Sequence, residues 1–272
     1  MSPIINKLRT PGEDFNRVMM IIFGVLMWGS IVGLVMNMWP DPKLRPLLVT
    51  FLSYGAAFAI FVFVSGAAYR AFAFGNMLML GPNQFPQLHA MVVEGSRELG
   101  LSSPPVAFLY NSNGLFNAFA RRLMGGRYVF LTSALVEASD DAQVRFIIGH
   151  EIGHHAAGHL NPWMNTIKLP AHFVPFLGRA YSRSREFTCD NVGAFIAKDA
   201  NASCSSLQML GCGCRRLNPS MNLDAFLAQE KMVPPVFGFL NEIFRTHPRL
   251  TRRVKAIAAN HERIVNLANH PR

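Results

Sequence analysis

Two apolar runs near the N-terminus constrain this chain more than any other feature. Val18 to Pro40, "VMMIIFGVLMWGSIVGLVMNMWP", and Pro46 to Tyr69, "PLLVTFLSYGAAFAIFVFVSGAAY", hold no charged residue. Each exceeds the ~20 residues with which an α-helix crosses a ~30 Å hydrocarbon layer. Two transmembrane helices, over about 18–40 and 46–69, are expected. A cleaved signal peptide fits poorly, because the first run exceeds the ~7–15 apolar residues of such a leader and no small-x-small site follows it. Buried core helices rarely need paired charge-free runs of this length.

The connector "DPKLRP" carries Lys43 and Arg45, whereas the flanks carry Lys7, Arg9, Arg17 and Arg70. The bias of basic residues toward the inner face therefore favours a cytoplasmic N-terminal tail and a cytoplasmic remainder. All four cysteines, Cys189, Cys204, Cys212 and Cys214, lie in that remainder and are expected to stay reduced as ordinary thiols. The net charge of +10 suits a domain beside anionic lipid better than a nucleic-acid reader, since no basic stripe interleaves with aromatics. The division expected is residues 1–70 for tail and hairpin and 71–272 for one soluble domain, introduced by the Gly-, Asn- and Pro-rich "GNMLMLGPNQFPQ".

Within that domain "LHAMVVEGSREL" has helical spacing and stops at Gly100, while "PPVAFLYN" and "RYVFLTSAL" read as strands. A helix is expected from Ser139-Asp140-Asp141, with acid in its first turn, to about Gly158. Further helices are expected near 185–197, 202–210 and 249–267. The fold class is α+β, mostly helical, with a small β-sheet.

The expected zinc helix carries "GHEIGHHAAGHL". His150 and His154 are four apart and share a face; Glu151 is turned about 100° from His150 and sits beside them. Two neutral imidazoles bind zinc, and a nearby carboxylate takes a proton from the water that zinc activates. A third ligand at HExxHxxGxxH is closed off, because Ala157 and Leu160 stand at the Gly and His positions. His155 and His159 point elsewhere and read as surface or supporting residues. Downstream, "SRSREFTCD" places Glu186 and Asp190 four apart, so that one can ligate zinc while the other orients a ligating histidine; an exposed acidic pair beside Arg183 and Arg185 has the same spacing.

Taken in order, "FNAFARR", "YVFLTSALVE", "GHEIGHHAAGH", "SRSREFTCD" and "RTHPRLTRRVKAI" resemble a family: membrane-anchored zinc endopeptidases of the gluzincin type, including the bacterial stress protease HtpX and the CAAX prenyl proteases. The resemblance implies a zincin-type domain with one Zn2+ per chain, ligated by His150, His154 and Glu186. Glu151 is then general base and acid, Asp190 the partner of a zinc histidine, and Arg183 a supporting residue. His247 is implied near the active site, where it can hydrogen-bond the oxyanion; a packing histidine beside Pro248 is the alternative. The region of Asn117, Ala118 and Phe119, with Val129 and Leu131 of the following strand, is implied to present an edge for extended substrate.

The setting implied is a bacterial-type inner membrane, with the catalytic domain cytoplasmic and misfolded or damaged membrane proteins as substrates. A membrane-tethered chaperone or adaptor with a structural zinc is the alternative function, and Glu151 argues against it. One departure concerns 160–181, "LNPWMNTIKLPAHFVPFLGRAY", where many relatives carry two more membrane helices. Broken at Pro170 and Pro175, it is too short to span, and is expected to lie on the membrane or to cover the cleft. Cys189 also replaces the small alanine of the third-ligand motif.

Overall fold

The computed structural model describes residues 2–269. Helices α1 (Pro3–Leu8), α2 (Pro11–Met38) and α3 (Arg45–Asn76) come first. The strand β1 (Leu78–Met79), helix α4 (Pro86–Glu98), strands β2 (Val106–Tyr110), β3 (Ala118–Leu123) and β4 (Gly126–Thr132), and the short α5 (Ser133–Ala138) follow. Then come α6 (Asp141–Ala156), α7 (Pro162–Lys168), a 3-10 turn over Pro170–Phe173, α8 (Leu177–Ala197) and α9 (Ala200–Cys212). The chain continues through α10 (Leu223–Ala228) and α11 (Pro235–Ile243) to α12 (Leu250–Asn269).

Helices α2 and α3 are long and apolar enough to cross a membrane, and almost none of their apolar surface is covered by protein. Both extend past the apolar runs at the end that meets the rest of the molecule. Thr10 caps α2 by accepting from the Glu13 N–H, and Pro11 opens it. The N-terminal segment does not trail free. Ile4, Ile5 and Leu8 of α1 are buried in the main core with Met91, Val92 and Leu99.

The sheet runs β1-β2-β4-β3, with β2 and β4 parallel and the other pairs antiparallel. One face, through Ala107, Val129 and Leu131, joins the main core under α4, α6, α8, α9 and α12. The opposite face stacks Phe119, Phe130 and Phe108 at ring separations of 4.8 and 5.6 Å, and Ala73 and Tyr69 of α3 cover it. Thus the second apolar helix is joined to the back of the sheet, while α2 packs on α7 and α8.

The zinc helix α6 begins as its sequence predicts, with Asp140 and Gln143 forming a reciprocal capping box. Its crossing with α8 depends on glycine. A Cβ on Gly193 would stand 2.7 Å from the Phe146 carbonyl, and one on Gly149 would stand 2.8 Å from Ile196 Cβ. The two backbones therefore approach closely at the level of the polar residues they carry.

Candidate active site

Helix α6 supplies His150, Glu151 and His154, and α8 supplies Glu186, Cys189 and Asp190. His150 Nε2 lies 3.6 Å from Glu186 Oε2, and His154 Nε2 lies 3.7 Å from Glu186 Oε1. Donors ~2.0–2.2 Å from a tetrahedral ion are separated by similar distances, so the set suits zinc. Cys189 Sγ also falls within 4.8 Å of ligand atoms of both histidines. Its thiol, however, is 3.6 Å from His159 Nδ1, and His159 Nδ1 faces the Nδ1 side of His154. Burial also pushes the thiol well above its usual range, so it stays neutral. Glu186, which faces the Nε2 atoms, is the better third donor.

Behind His150 stands Asp190. His150 Nδ1 is 3.0 Å from Asp190 Oδ1, and Arg253 of α12 donates to both oxygens of that carboxylate, at 2.6 and 2.8 Å. Arg253 also reaches to 3.6 Å from Glu186. With Asp190 accepting, His150 keeps a proton on Nδ1, so that Nε2, which faces Glu186, is the nitrogen left to bind a metal in exchange for its own proton.

Behind His154 stands a longer chain. His154 Nδ1 is 3.0 Å from His159 Nδ1, and His159 Nε2 is 3.0 Å from Glu13 Oε1. Arg9 Nη1 donates to that same oxygen at 2.5 Å, and Arg9 Nη2 donates to the Ala157 carbonyl at the end of α6. A carboxylate accepts only, so His159 donates through Nε2 and accepts at Nδ1. His154 then donates through Nδ1, and its Nε2 is left for a metal. Glu13, in the first turn of α2, thereby sets a tautomer two side chains away.

The charges fit a cation. Burial opposes ionisation of Glu186, yet the bond and charge of His150, with His154 and Arg253, hold it well below the usual carboxylate range. Burial opposes a charged His150, but Asp190 and Glu186 outweigh it and raise the imidazole to about 10. His154 is kept well below 6.5 by burial and by His159, so it is the neutral imidazole that ligation requires. Glu151, buried and near Glu186, is pushed up to about 7, although it accepts a hydrogen bond from the Ala120 N–H. Once the added proton on His150 is displaced, the three carboxyl groups in their ionised form face Arg253 as their cation, and a dication would balance the surplus.

A cleft of about 500 Å³ opens over these residues, lined by Asn117 to Ala120 on one side and by Thr246 and His247 on the other. β3 is an end strand, and Asn117 accepts from the Thr132 N–H. Alternation of antiparallel bonds turns the N–H and C=O of Ala118 and Ala120 to the open side, in keeping with the bond from Ala120 to Glu151.

Of the residues expected at the site, His150, Glu151, His154, Glu186 and Asp190 come together, and Asn117, Ala118 and Phe119 line the cleft. His247 projects from an exposed loop, its Nε2 3.7 Å from Glu186. Arg183 does not reach the carboxylates; it donates to the carbonyls of Ile243 and Arg245 and so holds the loop that carries His247. Val129 and Leu131 have no place at the cleft. They lie on β4, which is bonded on both sides, and are fully buried beneath the sheet.

His155 bonds the Tyr128 carbonyl, and burial lowers it to about 4. Arg253, His159 and Glu13 complete the site. Arg253 lay among Arg249, Arg252 and Lys255, but its spacing of four from buried Ile257 could have marked it as inward-facing. Nothing local marks Glu13.

The chain is similar in sequence to known proteins. A family model described as peptidase family M48 matches residues 82–169 and 162–261. A plastoglobule-localized metallopeptidase 48 of Arabidopsis thaliana is 27% identical over 172 residues, 58% of this chain and 49% of its own length. A protease HtpX homolog of Methanothermobacter thermautotrophicus is 26% identical over 181 residues, 57% of this chain and 69% of its own. Another, from Helicobacter pylori, is 24% identical over 258 residues, 77% of this chain and 80% of its own. The chain spans about half the length of the plant relative.

Proposed function

The chain belongs to peptidase family M48, and on that premise we propose that it is a zinc-dependent endopeptidase held in a bilayer by α2 and α3. The observation that carries the reading is the convergence of His150, His154 and Glu186 at 3.6–3.7 Å beside Glu151 and an open strand edge. One zinc per chain is assigned to these three donors. When bound, zinc polarises the scissile carbonyl and makes water acidic enough to lose a proton near neutral pH.

The remaining steps belong to the protein. An extended substrate pairs with the outward groups of Ala118 and Ala120, which holds its backbone in line regardless of sequence. Asn117 and Phe119 flank that edge. Glu151, with a carboxyl raised to about 7, takes the proton from water and delivers it to the leaving amine, which suits a group titrating near the working pH. His247, on the opposite rim, donates to the oxygen on which negative charge develops. Asp190 and Glu13 hold the two imidazoles in the tautomers that ligation needs.

The basic flanks Lys7, Arg9, Arg17 and Arg70 against Lys43 and Arg45 support a cytoplasmic catalytic domain in an inner, cell-type membrane. Misfolded membrane proteins are then the natural substrates, and membrane-protein quality control the role.

Glu151→Gln tests the reading. The detergent-solubilised variant should keep its zinc and lose casein hydrolysis by about 10²–10⁴-fold. A zinc-loaded variant that cleaves as fast as the parent would overturn Glu151 as the base, whereas a zinc-loaded parent that binds casein without cleaving it would favour a tethered chaperone with a structural metal.

A further inference from the structure

The short segment between the zinc helix and the third ligand lies against the part of α2 that enters the bilayer. Met20 packs with Ala171 and Tyr181. At Gly24 the α7 backbone comes so near that an added Cβ would clash with the Ile167 carbonyl. Trp28 Nε1 donates to the Thr166 carbonyl at 2.9 Å. The apolar run begins after Arg17, and at ~1.5 Å per residue Gly24 and Trp28 stand roughly 10 and 16 Å beyond it along the helix. A segment touching both residues shares their depth.

Its polar groups are arranged for that depth. Asn161 accepts from the Met164 N–H, Asn165 donates to the His159 carbonyl, and Thr166 Oγ1 donates to the Pro162 carbonyl. Lys168, buried, donates to the Tyr181 hydroxyl at 3.0 Å and lies over its ring. His172 Nδ1 faces the Lys168 carbonyl at 3.3 Å. The segment turns Trp163, Leu169 and Phe173 outward, at 80%, 57% and 82% exposure, together with Asn165, Thr166 and His172, whose side chains are bonded to backbone carbonyls. Water would make this arrangement costly, with large apolar groups outside and the exposed polar side chains already bonded to backbone carbonyls, Lys168 alone being turned inward. Hydrocarbon, which hydrogen-bonds nothing, favours it.

We propose that residues 162–173 form a wedge embedded in the leaflet on the catalytic side, with Trp163, Leu169 and Phe173 facing lipid. The proposal rests on the bilayer-spanning part of the function proposed above and extends it to the catalytic domain. Ser182, Arg185 and Thr246 line both the active-site cleft and the hollow between the wedge and α8. The wedge therefore fixes one side of the cleft at the membrane surface, where a chain leaving the bilayer meets it first.

The chain's three tryptophans, Trp28, Trp39 and Trp163, allow a direct test. The full chain, with Trp28→Phe and Trp39→Phe, is reconstituted into phosphatidylcholine–phosphatidylglycerol vesicles with and without brominated acyl chains. Trp163 emission should be lost in the brominated vesicles and resist aqueous acrylamide. Emission quenched by acrylamide and indifferent to bromine overturns the wedge.

Because Trp28→Phe removes a bond to α7, Trp163→Phe alone is measured beside the parent. Bromine-sensitive emission should fall on that substitution, and no change overturns the proposal. Trp28 and Trp39 of that variant report insertion of α2. A wedge found in water while these two are quenched and casein is still cleaved overturns this inference alone. Lost cleavage with Trp163 quenched counts against the peptidase reading alone.

Discussion

The two histidines that face Glu186 are held from behind in contrasting ways. His150 leans on an anion one bond away, Asp190, which is locked by both arms of Arg253. His154 leans on a neutral imidazole, and the anion that decides its tautomer, Glu13, lies one residue further off in the first turn of the apolar helix α2. The first support is charged, short and internal to the catalytic domain. The second is relayed and ties the site to α2. Damage to the first should cost folding as well as metal, and damage to the second chiefly metal.

The largest effect belongs to Asp190→Ala. It leaves Arg253, at 5% exposure, without its two short bonds and His150 Nδ1 without its acceptor, with only Glu186 at 3.6 Å remaining to both, and a broken buried pair costs about 3–5 kcal/mol. Thermal unfolding in detergent should show a marked drop in Tm; an unchanged Tm would mean the pair is energetically silent.

Glu13→Gln should be milder in stability yet telling in metal. Its amide can donate to His159 Nε2 and reverse the relay, which places a proton on the His154 nitrogen that zinc needs. Competition with a chromophoric chelator should show zinc affinity down about 10–100-fold. Parent-like affinity would reduce Glu13 to a packing role.

Protonation separates the two arms further. Metal-free His150 is raised to about 10 and His154 is held well below 6.5, so zinc uptake near neutral pH releases a proton from the His150 arm and none from the other. The sign follows from the raised value. The proton on His150 stabilises the metal-free fold fully below its unfolded value of ~6.5 and is lost as pH rises through about 10. Zinc affinity should therefore rise across that window, and calorimetry in buffers of different ionisation enthalpy counts the protons released. No proton release would break the contrast.

The smallest structural effect is expected from His247→Ala. Exposed on its loop, His247 should change stability by less than about 0.5 kcal/mol. Hydrolysis should nevertheless fall by roughly 10²-fold if it binds the oxyanion.

Several of these parts were legible in the residues. The spacing of His150 and His154 and the Glu186–Asp190 pair are local, and helical geometry alone puts each set on one face; the acidic start of α6 near Asp140 is equally local. Val129 and Leu131 show where such reading stops. Alternation marks a strand, but only pairing decides that β4 is interior and β3 carries the open edge. The family resemblance implies Arg183 as a support of the site, yet its guanidinium turns to the loop before His247.

By itself the sequence determined two helices long and apolar enough to cross a membrane, a helix with two histidines and a glutamate on neighbouring faces, and a carboxylate pair four residues apart, because length, hydropathy and periodicity are properties of neighbours along the chain. Tertiary structure decided which nitrogen of each histidine is free for metal. That choice depends on Asp190 and Arg253 meeting behind one ring, and on His159 and Glu13 meeting behind the other. Partners up to 146 residues apart come within hydrogen-bond reach only because α6 and α8 cross on glycines and α2 ends against them.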